Sequence, residues 1–262
     1  MNEVVPPVRW GVLAAVIVFL LTPVYLLLVF GYSALRLPGD PLVLSFGLGL
    51  LFYGVLVAAL IVISRGYGLR SLRADFGFAF RPVDIPIGIG IAILGKMLTL
   101  VFTLAVFVIG GELPKSGNLD LGDDPLTIVL LGLVLGTLVA PLVEELVFRG
   151  LILRAVRYRV LRGRRAHPYP QPAPQNVQLR AVMLAILISS AAFAVLHLYQ
   201  APGDPALFAV LALGTFTVGL LHGVITVVTG RLGAAIVSHV VFNGSGVLLQ
   251  VLLSGSVPPG AS

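Results

Sequence analysis

The sequence predicts an all-α fold, a polytopic transmembrane bundle of about seven helices. Two observations carry that prediction. Hydrophobic residues make up 58% of the 262 and charged residues only 11%, with a mean hydropathy of +1.06. A soluble domain is about 45–50% apolar and about 25% charged. The apolar residues also fall in runs of the roughly 20 needed to cross a bilayer. No polar stretch is long enough for a separate soluble domain, so residues 1–262 read as a single membrane domain.

Seven segments qualify as spans. The first, 10–32, is too long for a signal-peptide core and lacks a small-x-small cleavage site, so it reads as a retained helix. Then come 42–64, 85–109, 125–153 and 181–199, and finally 206–229 and 232–253, parted only by "GRLG". An eighth, re-entrant or split element fits the same composition.

Basic residues set the orientation. Thirteen Lys and Arg fall in the N-terminal tail and the loops after spans two, four and six. The opposite side has two, Arg36 and Lys115, and the other two, Lys96 and Arg149, lie within spans. The positive-inside rule then places the N-terminus in the cytoplasm and the C-terminus outside, in a multi-pass protein of the cell inner membrane. The net charge of +6 belongs to these short loops, which points to the membrane and not to nucleic acid. The loop 154–180 holds seven arginines. Its "RGRRAHPYPQPAPQNVQLR" stretch reads as an extended connection, because proline fixes φ and removes a donor. Its basic residues would contact anionic lipid, at about 1 kcal/mol each near the surface. The chain has no cysteine, which excludes disulfides, thiolate metal sites and a cysteine nucleophile.

Within the apolar runs, hydroxyls and one glutamine aside, the polar residues are Lys96, Glu144, Glu145, Arg149, His197, His222, His239 and Asn243. A charge at the bilayer centre costs about 2.5–3.5 kcal/mol on the insertion scale, so such residues face protein or a water-filled cavity. Glu145 and Arg149 are four apart and can pair on one helical face. Glu144 is rotated by about 100° and points elsewhere. Phe193 and His197 share a face, as do His239 and Asn243. His222, between glycines in "GLLHGVI", reads as helix packing. Lys96 reads as a snorkelling cation, a partner for a carboxylate, or a contact for a substrate's C-terminal carboxylate. His167 lies in the basic loop and carries no role.

One carboxylate, two imidazoles and a carboxamide on three helices can converge in a bundle core. A carboxylate and a histidine can deprotonate water for attack on an amide. A second histidine and an Asn NH₂ can donate to the oxyanion. The same Glu and His atoms also suit Zn²⁺, although no HExxH is present. Measured as straight helices, depths disagree: Glu144 lies about 15 Å from Arg154, His239 about 12 Å from Arg231, but His197 about 25 Å from Arg180.

"EELVFR", "FAVLH" and "HVVFN" resemble, in order and each on its own apolar helix, the EExxxR, FxxxH and HxxxN motifs of the CPBP family. That family includes type II CAAX prenyl-endopeptidases and bacteriocin-processing enzymes. The resemblance covers a catalytic core of about 125–250 and implies an intramembrane endopeptidase opening toward the cytoplasmic side. It implies water activation by Glu144 and His197, and oxyanion stabilisation by His239 and Asn243. Glu145, Arg149 and Phe193 match supporting positions. The family is often labelled metalloprotease, and its best-understood branch is argued to work without a metal ligand. Both remain open here: Zn²⁺ held by Glu144, His197 and His239, or no cofactor. The implied partner is a peptide or protein substrate at the membrane, prenylated or not. Two other readings are a non-catalytic scaffold or immunity protein with the same fold, and an ion-coupled transporter. The complete motif set argues against the first, and the lack of a repeat or paired broken helices against the second.

The charge bias makes a direct prediction. Single cysteines placed in the 154–180 loop of this cysteine-free chain should react with an impermeant maleimide only after the inner face is opened. Labelling on intact cells would reverse the orientation.

Overall fold

The computed structural model describes residues 6–35, 39–111, 121, 124–163 and 173–254. Arg36, Lys115 and the 164–172 part of the basic loop, with His167, lie outside the described residues. In chain order the helices are α1 (Val12–Ala34), α2 (Pro41–Tyr67), the short α3 (Leu72–Phe76) and α4 (Asp84–Gly110). They continue with α5 (Pro125–Arg162), α6 (Gln175–Val195), α7 (Pro205–Thr229) and α8 (Gly233–Ser254). All but α3 are long and apolar enough to cross a membrane, and no strand occurs among the described residues. The protein is a multi-pass, all-helical membrane protein, as its composition requires.

Helix starts on the arginine-poor side share one device. α2, α5 and α7 each begin with Asp–Pro: Asp40–Pro41, Asp124–Pro125 and Asp204–Pro205. Proline at the first helical position lacks only an N–H that would be unpaired anyway. The aspartate accepts from the free amides of the first turn: Asp40 from Leu42 and Val43, Asp124 from Thr127, and Asp204 from Leu207.

The arginine-rich end is tied by two buried carboxylates. Asp75 of α3 accepts from Trp10 Nε1 (3.3 Å), Ser64 Oγ (2.6 Å) and the Leu69 amide (2.9 Å), which joins the approach to α1, the end of α2 and α3. Trp10 packs between Phe76 and Tyr158, at ring centroids of 5.4 and 5.6 Å. Asp84, in the first turn of α4, takes a bidentate contact from Arg231 (2.6–3.0 Å) and a bond from the Arg81 amide. Its carboxylate holds the Arg231 guanidinium firmly charged, raising its pKa above the ordinary value. The α7–α8 turn is further fixed by Arg154 on the Gly230 carbonyl and by the Leu232 and Gly233 amides on the Gly77 and Ala79 carbonyls. These ties set the depth at which α8 begins.

The α5–α6 connection departs from the sequence reading. α5 does not stop at Leu153: "RAVRYRVLR" is an amphipathic helical end that buries Ala155, Tyr158 and Leu161 and packs along α6. Gln175–Arg180, read as extended, are the first turns of α6, which starts directly after Pro174. The two helices therefore project about 12 Å beyond the level of Arg154 and Gly230, at 1.5 Å per residue. This removes the depth conflict. Glu144 and His197 both lie about 30 Å from the tip of this hairpin when measured along their own helices.

α5 is also wound unevenly. Ile128–Val139 and Leu146–Ile152 are π-helical, and Ala140–Glu145 between them is α-helical. Thr137 Oγ1 bonds the Gly132 carbonyl five residues back, in step with that winding. Pro141 falls where the winding tightens; it offers no N–H and crowds the preceding turn, a recognised cause of local helix distortion.

Replacing Asp75 with Ala strands the Trp10 and Ser64 donors away from water. Hydrogen bonds to a charged group contribute about 1.5–3 kcal/mol, so Asp75→Ala should melt several degrees below wild type in the same detergent. An unchanged melting curve would remove Asp75 as the tie of this end.

Candidate active site

The polar residues of the three motifs converge between α5, α6, α7 and α8, and their centre is Glu145. It is fully buried, and its Oε1 atom meets Arg149 Nη1 (3.2 Å), His222 Nδ1 (3.0 Å) and His239 Nδ1 (3.0 Å). A carboxylate oxygen only accepts, so both imidazoles carry their hydrogen on Nδ1. His222 Nε2 then accepts from Ser238 Oγ (2.9 Å). The expected Glu145–Arg149 pair is present, with both side chains at 0% exposure. Arg149 is also bonded to the Gly219 carbonyl (3.3 Å). A Cβ on Gly219 would press on Ser190, so glycine is what lets α7 approach α6 here.

Glu144 faces another direction. Its side chain is 18% exposed. Oε1 accepts from Tyr53 on α2 (3.1 Å), and Oε2 lies 3.8 Å from His239 Nε2. That gap is too long for a direct hydrogen bond and short enough for one water to touch both atoms. His239 thus stands between the two adjacent glutamates, with one ring nitrogen toward each.

Phe193 explains why an aromatic residue accompanies the histidine of its motif. Its ring contacts His197 (4.4 Å), Phe148 (5.2 Å, edge-on) and His239 (5.6 Å, edge-on), and the Arg149 guanidinium lies 4.5 Å above it. His197 falls just past the regular end of α6, in the turn before the 3₁₀ segment Leu198–Gln200. Its Nδ1 donates to the Phe193 carbonyl (2.7 Å), which leaves the Nε2 lone pair available. Asn243 Nδ2 donates one hydrogen to the Gly136 carbonyl (2.9 Å) in the π-wound part of α5, and its second N–H remains.

Two expectations change. His222 is not mere packing: it supplies a donor to Glu145 and connects α7 to the centre. The signal was its place between Gly219 and Gly223, two points where α7 presses on α6. Among the described residues Lys96 pairs with no carboxylate; its Nζ lies over the Phe242 ring at 4.1 Å. Tyr53 and Ser238 gave no signal in the sequence.

The metal set read from the motifs, Glu144, His197 and His239, does not bring all its ligand atoms within 4.8 Å of one another. Among the described residues, the side chains whose ligand atoms lie within 4.8 Å of one another are Glu145, His222 and His239. Two imidazoles and a carboxylate are a zinc-type donor set, and Glu145 Oε2 has no hydrogen-bond partner. The fit fails on charge and access. The Arg149 guanidinium already neutralises the same oxygen, and exposures of 0–3% leave no open position for substrate or water. Glu145, His222 and His239 therefore do not fit a catalytic metal.

The described residues thus form a helical membrane bundle that gathers carboxylates and imidazoles inside its apolar spans. Residues 125–245 match the family described as type II CAAX prenyl endopeptidase Rce1-like. The matched stretch, just under half of the chain, holds all three motifs and supports the resemblance to the CPBP family, a family of proteases. No curated protein and no solved structure matches the chain.

Glu145→Gln should cost stability, because it leaves Arg149 buried without its counter-charge. Breaking a buried pair costs about 3–5 kcal/mol, whereas replacing both members together is often near neutral. Glu145→Gln should therefore melt well below wild type, and the double variant Glu145→Gln/Arg149→Met should recover part of the loss. A double variant that melts below both single variants would contradict this account of the pair.

Proposed function

We propose that this chain is an intramembrane endopeptidase in which Glu144 is the water-activating base and Glu145 is structural. The observation that supports this division is the contrast between the neighbours. Glu145 is sealed in an ion network, whereas Glu144 is partly accessible and its Oε2 lies 3.8 Å from His239 Nε2, where a water can reach both from the side.

The chemistry then follows from the hydrogen positions. A water between Glu144 Oε2 and the His197 Nε2 lone pair loses a proton to Glu144 as its oxygen bonds to the scissile carbonyl carbon. The carbonyl oxygen becomes an oxyanion, to which His239 Nε2–H and the second Asn243 N–H donate. The intermediate collapses as the C–N bond breaks, and the proton on Glu144 passes to the leaving amine. One water is consumed, and a carboxylic acid and an amine are released. His239 can donate to the oxyanion only as an imidazolium, because Glu145 holds its other hydrogen on Nδ1.

The coarse substrate class, a peptide at the membrane, follows from the family; a C-terminal CAAX sequence is the finer proposal. The site opens toward the cytoplasmic, arginine-rich side in this reading, and the projecting α5–α6 hairpin would meet anionic lipid headgroups there.

The test uses purified full-length protein and quenched-fluorescent CAAX peptides, prenylated and unprenylated. Glu144→Gln and His197→Ala should abolish cleavage while melting close to wild type. Asn243→Ala should lose about 100–1000-fold in rate. Chelators should leave activity intact. Wild-type cleavage by Glu144→Gln, or a larger loss of stability in it than in Glu145→Gln, would overturn the division between the glutamates.

A further inference from the structure

A general base performs only if its carboxylate is held in one orientation, and nothing on α5 itself does this for Glu144. Glutamate has three side-chain torsions, and freezing a side chain of that length costs about 1.5–2 kcal/mol. Glu145 escapes the problem because two imidazole donors and the Arg149 guanidinium converge on it. Glu144 has one direct hydrogen bond among the described residues, and it comes from α2, outside the matched 125–245 stretch.

The donor is Tyr53, and its place on α2 is well supported. Its ring leans on Phe52 (centroids 5.2 Å), which stacks in parallel on Tyr25 of α1 (4.3 Å, 12° between planes). Gly49 lies one helical turn before Tyr53 on the same face. A Cβ at Gly49 would meet the end of the Leu135 side chain, so α2 lies close against α5 at this glycine. That close approach brings the phenol within 3.1 Å of Glu144 Oε1. The two carboxylate oxygens are thereby made different. Oε1 is anchored to α2, and Oε2 is turned to the gap beside His239 Nε2.

We propose that Tyr53 is a positioning residue for the Glu144 base: its hydroxyl fixes Oε1 so that Oε2 presents its lone pair to the reacting water. The inference rests on the reading of Glu144 as the base. It makes α2 part of the catalytic apparatus, although none of the three motifs lies on it. Tyr53 itself transfers no proton and touches no substrate in this account.

Two measurements test it on the full chain. The first needs no substrate. With ¹³C-labelled glutamate, the infrared difference between wild type and Tyr53→Phe should show a shifted carboxylate stretch, and this difference should vanish when both proteins carry Glu144→Gln. No shift, or a shift that persists in the Glu144→Gln background, would overturn the proposal. The second is kinetic, with the same quenched-fluorescent CAAX peptides. Misplacement of a reacting group by about 1 Å can cost about 100-fold. Tyr53→Phe should therefore lower kcat by about 10–100-fold, with KM and melting temperature close to wild type. Tyr67→Phe, at the far end of α2 from Tyr53, should match wild type. If Glu144→Gln abolishes cleavage and Tyr53→Phe leaves kcat unchanged, the positioning role fails and the base assignment stands. If Glu144→Gln cleaves normally, the base assignment itself fails.

Discussion

The rest of the site depends on one oxygen atom, Glu145 Oε1. Three cationic or donor groups from three helices meet there: the Arg149 guanidinium from α5 as an ion pair, and hydrogen bonds from His222 of α7 and His239 of α8. In an apolar bundle an unpaired carboxylate is costly, so each donor that reaches it stabilises the arrangement of the helix carrying that donor. The contact also has a chemical result. It places a hydrogen on His239 Nδ1 and so decides that Nε2 is the atom turned toward Glu144. A buried charge that looks like helix glue thus orients the ring of a candidate catalytic histidine.

Two adjacent glutamates can play opposite parts because a helix turns by about 100° per residue. That separation is kept locally by the α-helical stretch Ala140–Glu145, although the helix on either side is π-wound. π-helical segments are rare and are frequent at functional sites. Here the upstream one bears the Gly136 carbonyl that anchors Asn243, and the downstream one bears Arg149. The irregular winding is therefore engaged on both sides of the glutamates by residues of the site.

Away from the centre, polar groups serve the ends of the helices. Asp–Pro caps start the three helices on the arginine-poor side, and Asp75 and Asp84 tie the other side. Fixing the α7–α8 turn through Asp84–Arg231 sets where α8 begins, and α8 carries both His239 and Asn243. The depth of the candidate oxyanion donors is thus governed by an ion pair about 12–18 Å away along the helix.

Much of this was legible in the sequence because it depends on local periodicity and composition. Seven spans follow from apolar run length, and the Glu145–Arg149 pair follows from spacing on one helix. The angular separation of Glu144 from Glu145 follows from helix geometry alone. The ends of α5 and α6 were misread for a physical reason: an arginine-rich amphipathic helix beyond the membrane has the composition of a loop, and its buried face is defined only by packing against its neighbour. His222, Ser238 and Tyr53 were beyond reach in the same way. Each acts through a partner that is 16 or more residues distant, and no local pattern records which faces of α2, α7 and α8 meet α5. The residue types and helical spacings that make a polar centre feasible were set by the sequence itself. Which nitrogen meets which oxygen was decided only when the helices packed, since that choice depends on close approaches at glycines such as Gly49 and Gly219 and on the depth at which each helix is anchored.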